Sequence, residues 1–174
     1  MPTVGWHIDP FGHTSTQAVL FAKMGFNMFV FGRAPDDVLH FGRQYTDQFL
    51  WRPSTSLPAA EIDLWTYFHA GYGGHSPCKQ NCSLQTLQSF AKEMHFAVHN
   101  FERHQTPHVM FMIGGDFFDP DYSVIDPLVK GIQAHPELNV NISYSTPSRF
   151  YQDIHEYTVA HHLDWNVFKP PNNE

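Results

Sequence analysis

Two aspartates and one arginine stand where a β/α protein keeps its reactive groups. Asp9 follows the strand-like segment Pro2 to Ile8, Arg33 follows Asn27 to Phe31 and Gly32, and Asp116 follows Val109 to Ile113 and Gly114-Gly115. If those runs are parallel strands, all three side chains lie at strand C-terminal ends, where β/α folds build their sites. Two carboxylates facing each other across such a mouth are what glycosidic cleavage uses. One acts as nucleophile or base, and the other, protonated, acts as acid. Arg33 would pair with one of them or grip a substrate oxygen. Each residue also has a plainer reading. Asp9-Pro10 suits an ordinary turn, Asp116 could terminate a strand and cap the next segment, and Arg33 could pair with Asp36 or Asp37 at the surface.

The elements that must position these residues alternate. A strand over Pro2 to Ile8 leads to a helix from about Thr16 to Met24, capped by Thr14 or Ser15 and stopped at Gly25. Asn27 to Phe31 reads as a buried parallel strand. From Ala34 to Ser83 the chain is rich in Pro and Gly and reads as a long irregular stretch, a length more often functional than decorative. Leu84, Leu87, Phe90, Ala91, Met94, Ala97, Val98 and Phe101 then mark one apolar helical face, expected to be core. Val109 to Ile113 and Val140 to Tyr144 read as strands, Pro127 to Ala134 as a helix, and Pro147 as the first turn of another. The pattern implies parallel α/β architecture in one domain or part of one, without internal repeats.

The chain has 174 residues, 42% hydrophobic and 16% charged, enough for a substantial core and too apolar for a disordered chain. Ten Lys and Arg against 17 Asp and Glu give −7, with no basic run, so nucleic acid and anionic membrane are poor partners. Thirteen histidines, fully protonated, would carry −7 to +6, so acidity could reverse the sign of the charge. No 18-residue apolar run is present, and no membrane span is expected. Cys78 and Cys82 lack a second Cys pair for a Cys-rich zinc site, and a local disulfide between them suits an oxidising compartment. The triplets Asn81-Cys82-Ser83 and Asn141-Ile142-Ser143 are compatible with the same setting.

The run Trp6-His7-Ile8-Asp9-Pro10-Phe11-Gly12-His13-Thr14 closely resembles the catalytic core of glycoside hydrolase family 38 α-mannosidases, nearest to the lysosomal branch. The likeness continues through Met24-Gly25-Phe26, Phe31-Gly32-Arg33, Trp51-Arg52-Pro53-Ser54-Thr55-Ser56-Leu57, Gly71-Tyr72, Gly114-Gly115-Asp116-Phe117 and Tyr144-Ser145-Thr146-Pro147. It covers residues 4 to 165. The resemblance implies that Asp9 is both nucleophile and zinc ligand, that Phe11 lines the sugar subsite, and that Arg33 contacts nucleophile and substrate. It further implies that Tyr72 binds substrate, that Asp116 is the general acid/base, and that Cys78 and Cys82 form a small disulfide loop. The implied reaction is retaining hydrolysis of terminal α-D-mannosides in N-glycan or oligomannose breakdown, in a lysosomal or secreted setting. The implied fold is part of a seven-stranded β/α barrel.

This sequence departs from the family pattern beside Asp116 and at the zinc site. Gly115 stands where relatives carry Ser or Asp, which removes a polar neighbour from Asp116. The upstream His-x-Asp pair and a downstream histidine of the zinc site have no counterparts here, and Asp9 is the one zinc ligand in place. His7 shares a strand face with Asp9 but points from a deeper layer, so packing suits it better than a metal. The chain is therefore expected to be the central part of one catalytic domain, residues 1–174, with the other zinc ligands in the rest of a larger mannosidase chain and little activity alone. Two further classes are open: a non-catalytic or vestigial mannose-binding protein, and a metal-dependent carbohydrate deacetylase using His7 or His13.

Overall fold

The computed structural model describes residues 2–33, 47–69, 74–79, 81–99, 104–116 and 122–169. Its strands are β1 (Val4–His7), β2 (Met28–Phe31), β3 (Gln48–Trp51), β4 (Leu64–Phe68) and β5 (Val167–Phe168). The helices are α1 (Ser15–Lys23), the single turn α2 (Ala59–Ile62), α3 (Leu84–His99), α4 (Tyr122–Gln133) and α5 (Pro147–His161). The strands form one sheet in the order β1-β2-β4-β3-β5. The pairs β1–β2, β2–β4 and β3–β5 are parallel, and β3 runs antiparallel to β4.

Strand β2 shows how the layers arise. All four of its residues are buried, and alternation sends Met28 and Val30 to one face, Phe29 and Phe31 to the other. Phe29 and Phe31 join Ala18 of α1, Phe49, Trp51 and Leu64. Met28 and Val30 join Tyr67 with Phe150 and Ile154 of α5. Helices thus cover both faces of the sheet. The parallel half meets the expectation of alternating strands and helices. Barrel closure is not seen among the described residues: they form an open, mixed, mostly parallel sheet, whereas a barrel's helices lie on its outer face alone.

Several expected elements are corrected. The stretch from Ala34 to Ser83 is not irregular throughout, because β3, α2 and β4 lie within it. Residues 109–113 and 140–144 are not strands. Among the described residues the first touches a neighbour through one bridge, Ile113 to Gly74, and the residues leading into it are tied by a side chain: Gln48 Nε2 donates to the His108 carbonyl at 2.7 Å. Gln48 is fully buried, and its Oε1 accepts from the Thr106 amide and hydroxyl at 3.1 and 2.9 Å. One glutamine therefore supplies what a ladder would have supplied. In the second, Val140 and Ile142 pack on Leu87, Phe90, Leu128 and Ile132. Helix α4 starts five residues before Pro127 and runs through it, its buried face of Ile125, Leu128, Val129 and Ile132 outweighing one lost backbone bond. On α3, Leu87, Phe90 and Ala91 are buried while Leu84 is 47% exposed, so the core face is shorter than the spacing implies.

Candidate functional site

Strand register builds the first part of the site. His7 pairs with Phe31 in the parallel β1–β2 ladder, so two residues beyond each end Asp9 and Arg33 come level. Gly32 permits the approach. Its amide donates to the His7 carbonyl at 3.0 Å, and a Cβ built on it would overlap the Ile8 carbonyl oxygen. Arg33 Nε then lies in direct contact with Asp9 Oδ1, an oxygen that is itself buried; the two side chains as wholes are 51% and 32% exposed. The Arg33 guanidinium also sits over the Phe11 ring, 4.9 Å from its centroid, and Phe11 is 90% exposed. Arg33 holds the left-handed conformation with φ +50°. An acid, a cation and an open aromatic face thus converge at the C-terminal tips of two strands.

Two histidines flank this group. His7 packs edge-on against Phe21 and Phe29 at 5.4 and 5.2 Å, and burial, with the charge of His13 added, holds its imidazole below the ordinary value. His13 lies against Phe31 at 4.5 Å and bonds to the Arg33 carbonyl at 2.9 Å.

Asp116 stands on a different segment. It is exposed, at the end of the extended stretch that Gln48 holds through His108. Near its end that stretch exchanges backbone bonds with Gly74: Gly74 N to Met112 O at 2.9 Å and Gly114 N to Gly74 O at 3.1 Å. Tyr67 of β4 also bonds the Met110 backbone, and burial pushes its phenol far above the usual range, with the charge of Asp47 adding to the shift. Asp9, Phe11 and Arg33 are brought together by the β1–β2 tips, while Asp116 is delivered by a tethered loop. Tyr72, Asp36, Asp37, Phe101 and Phe117 lie outside the described residues.

Other motif residues are structural. Arg52 clasps Asp63 through Nε and Nη2 at 2.8 and 2.6 Å, tying the end of β3 to the start of β4. Tyr144 donates to Asp126 at 2.7 Å while Lys130 takes the other carboxylate oxygen. Desolvation of the phenol, then that hydrogen bond, push Tyr144 up to about 12. Cys78 and Cys82 are disulfide-bonded, and Cys78 is buried against Leu87 and Phe90. Among the described residues no three His, Cys, Asp or Glu side chains come together as a metal would need, and no helix is long and apolar enough to cross a membrane.

Residues 1–169 match the model of the glycosyl hydrolases family 38 N-terminal domain. The chain belongs to glycoside hydrolase family 38. Among this family's members it is 30% identical to the lysosomal alpha-mannosidase of Bos taurus over 97% of its own length, and 29% identical to that of Dictyostelium discoideum over 96%. It spans only 19% and 18% of those two relatives. Its fold is similar to that of an alpha-mannosidase from Enterococcus faecalis V583, with a TM-score of 0.62 at 16% identity, over 88% of this chain and 16% of that one. The family 38 match runs through both strand tips and the Asp116 segment. Sequence spacing did not disclose the Gln48 tether or the His13 contact with Arg33. The signals for them were a polar residue opening an aromatic strand and a histidine in the loop after Asp9.

Proposed function

We propose that this chain is part of the catalytic domain of a retaining α-mannosidase, with Asp9 as nucleophile and Asp116 as general acid/base. The observation that carries the proposal is the convergence of Asp9, Arg33 and Phe11 at the β1–β2 tips in a member of family 38. In the first half-reaction Asp9 attacks the anomeric carbon of a terminal α-mannoside while Asp116 protonates the departing oxygen. In the second, Asp116 takes a proton from water, which displaces the sugar from Asp9. Such a pair works at about 5 to 5.5 Å between carboxyl groups. Arg33, held on Asp9 by charge, orients the attacking carboxylate, and Phe11 offers an apolar face to the sugar's C–H groups. Tyr72 is proposed as a further substrate contact.

The family also implies zinc, which would bind sugar hydroxyls and stabilise charge. The described residues do not fit a complete site, since Asp9 has no two further ligands beside it among them, and no step above uses a metal. The reading includes α-mannoside oligosaccharides as substrates, a larger mannosidase chain around this one, and a lysosomal or secreted location. The names of the relatives, the Cys78–Cys82 disulfide and the exposed Asn141 of its triplet support it.

The test is the anomer first released from p-nitrophenyl α-mannoside by the protein as its source makes it, read by proton NMR before mutarotation. The α anomer is expected. The β anomer first would overturn retention. Mannose binding without turnover, surviving loss of both aspartates, would show a non-catalytic binding protein instead.

A further inference from the structure

His13 takes no part in the mechanism above, yet its ring reaches the one strained residue of the site. Nε2 lies 2.9 Å from the Arg33 carbonyl oxygen and 3.3 Å from that of Gly32. Both are acceptors, so this nitrogen carries the proton and is shared between them. The ring is itself fixed by Phe31 at 4.5 Å and Phe29 at 6.2 Å. Arg33 has φ +50°, a conformation that a side chain with a Cβ disfavours and that persists only where its surroundings hold it. The direction of the Arg33 carbonyl depends on φ and ψ, and the direction of its Cβ on φ, so both are tied to the same left-handed turn. Holding the carbonyl therefore restricts φ and sets the direction in which the side chain leaves the backbone, and the contacts with Asp9 and Phe11 seat the guanidinium.

We propose that His13 is a positioning residue: by donating from Nε2 to the Arg33 carbonyl it holds the left-handed turn that lays the guanidinium on Asp9 and over Phe11. The purpose of the clamp, steadying the nucleophile, rests on the glycosidase reading, whereas the clamp itself does not. Its test accordingly reads Arg33 without turnover.

In isotope-labelled protein the one-bond Cα–Hα coupling of Arg33 reports the sign of φ, and exchange of its Nε–H reports the contact with Asp9. Three forms are compared: the wild type, His13→Leu, which keeps bulk without a donor, and His13→Gln, which can place an N–H at similar reach. The wild type should show positive φ and the Nε2–H tautomer of His13. His13→Leu should shift the coupling towards negative φ and speed Nε–H exchange about tenfold, the loss expected for one ordinary hydrogen bond. His13→Gln should restore both. An unchanged coupling in folded His13→Leu would overturn the proposal. So would failure of His13→Gln to rescue, which would make the ring's packing the cause. If His13→Leu does not fold, the wild-type tautomer and His13→Gln decide, and an Nδ1–H tautomer refutes the clamp.

Discussion

Replacing Gly32 with alanine tests whether the close approach of the β1 and β2 tips creates the site. The added Cβ would meet the Ile8 carbonyl oxygen, and this is backbone, so no side-chain rotation can relieve the overlap. Overpacking costs about 1–3 kcal/mol, and a clash against fixed backbone belongs in the upper half of that range. Alanine returns about 0.4–1 kcal/mol by restricting the unfolded chain. The net cost is about 1–2.5 kcal/mol, or roughly 2–10 °C in melting temperature at 2–4 °C per kcal/mol for a domain of this size. Gly115→Ala is the control, because a Cβ there meets nothing within 4 Å. Thermal unfolding followed by circular dichroism should show Gly32→Ala well below the wild type and Gly115→Ala level with it or slightly above. A Gly32→Ala midpoint within about 1 °C of the wild type, smaller than the least shift expected from the clash, would refute the reasoning.

Three other outcomes follow from the same structure. Gln48→Leu leaves the Thr106 amide and hydroxyl and the His108 carbonyl without their buried partner, so denaturant unfolding should show a loss of at least about 2 kcal/mol; a change below about 0.5 kcal/mol, the size of an ordinary surface substitution, would deny the tether its role. Reducing Cys78–Cys82, four residues apart, should cost about 2 kcal/mol by loop-closure entropy, a drop of roughly 4–8 °C on adding dithiothreitol; no drop would show that the buried packing of Cys78 carries that corner alone. Burial holds His108 below its ordinary value near 6.5, against an opposing pull from Asp153. The folded state therefore prefers the neutral ring: this contribution is present above pH 6.5 and is lost as pH falls through the lowered value. Melting temperature should decline on going from pH 7 to pH 5, and His108→Gln should flatten the decline; an equal slope in the variant would contradict the assignment.

What was legible in the sequence had a local cause. The β2 run Met28–Phe31 is apolar at every position and short, as suits a strand buried on both faces, and Thr14 caps α1 as its type suggests, accepting from the Gln17 amide at 3.1 Å. The motif Ile8-Asp9-Pro10-Phe11 located the site because so many chemically particular residues stand together. Strands β3 and β4 were hidden by the prolines on either side of them, although Gln48-Phe49-Leu50-Trp51 and Leu64-Trp65-Thr66-Tyr67-Phe68 are rich in residues that favour strands. Residues 109–113 failed in the opposite sense. Their apolar run has strand character, but the residues leading into them are held by a glutamine 60 positions before His108, a contact that no window of local periodicity contains. The Arg33–Asp9 pair sits between, since both residues were visible while their meeting depends on the β1–β2 register and on Gly32.

The central claim is that Asp9 is the nucleophile. Its most direct test treats the protein, as its source makes it, with 5-fluoro-mannosyl fluoride, which traps a glycosyl-enzyme when the second step is slow, and then maps the label by peptide mass spectrometry. One mannosyl label is expected, on Asp9 in the peptide containing Trp6 to Thr14, and none in Asp9→Asn. A label on another carboxylate, or α-mannoside turnover that persists in Asp9→Asn, would contradict the assignment of Asp9.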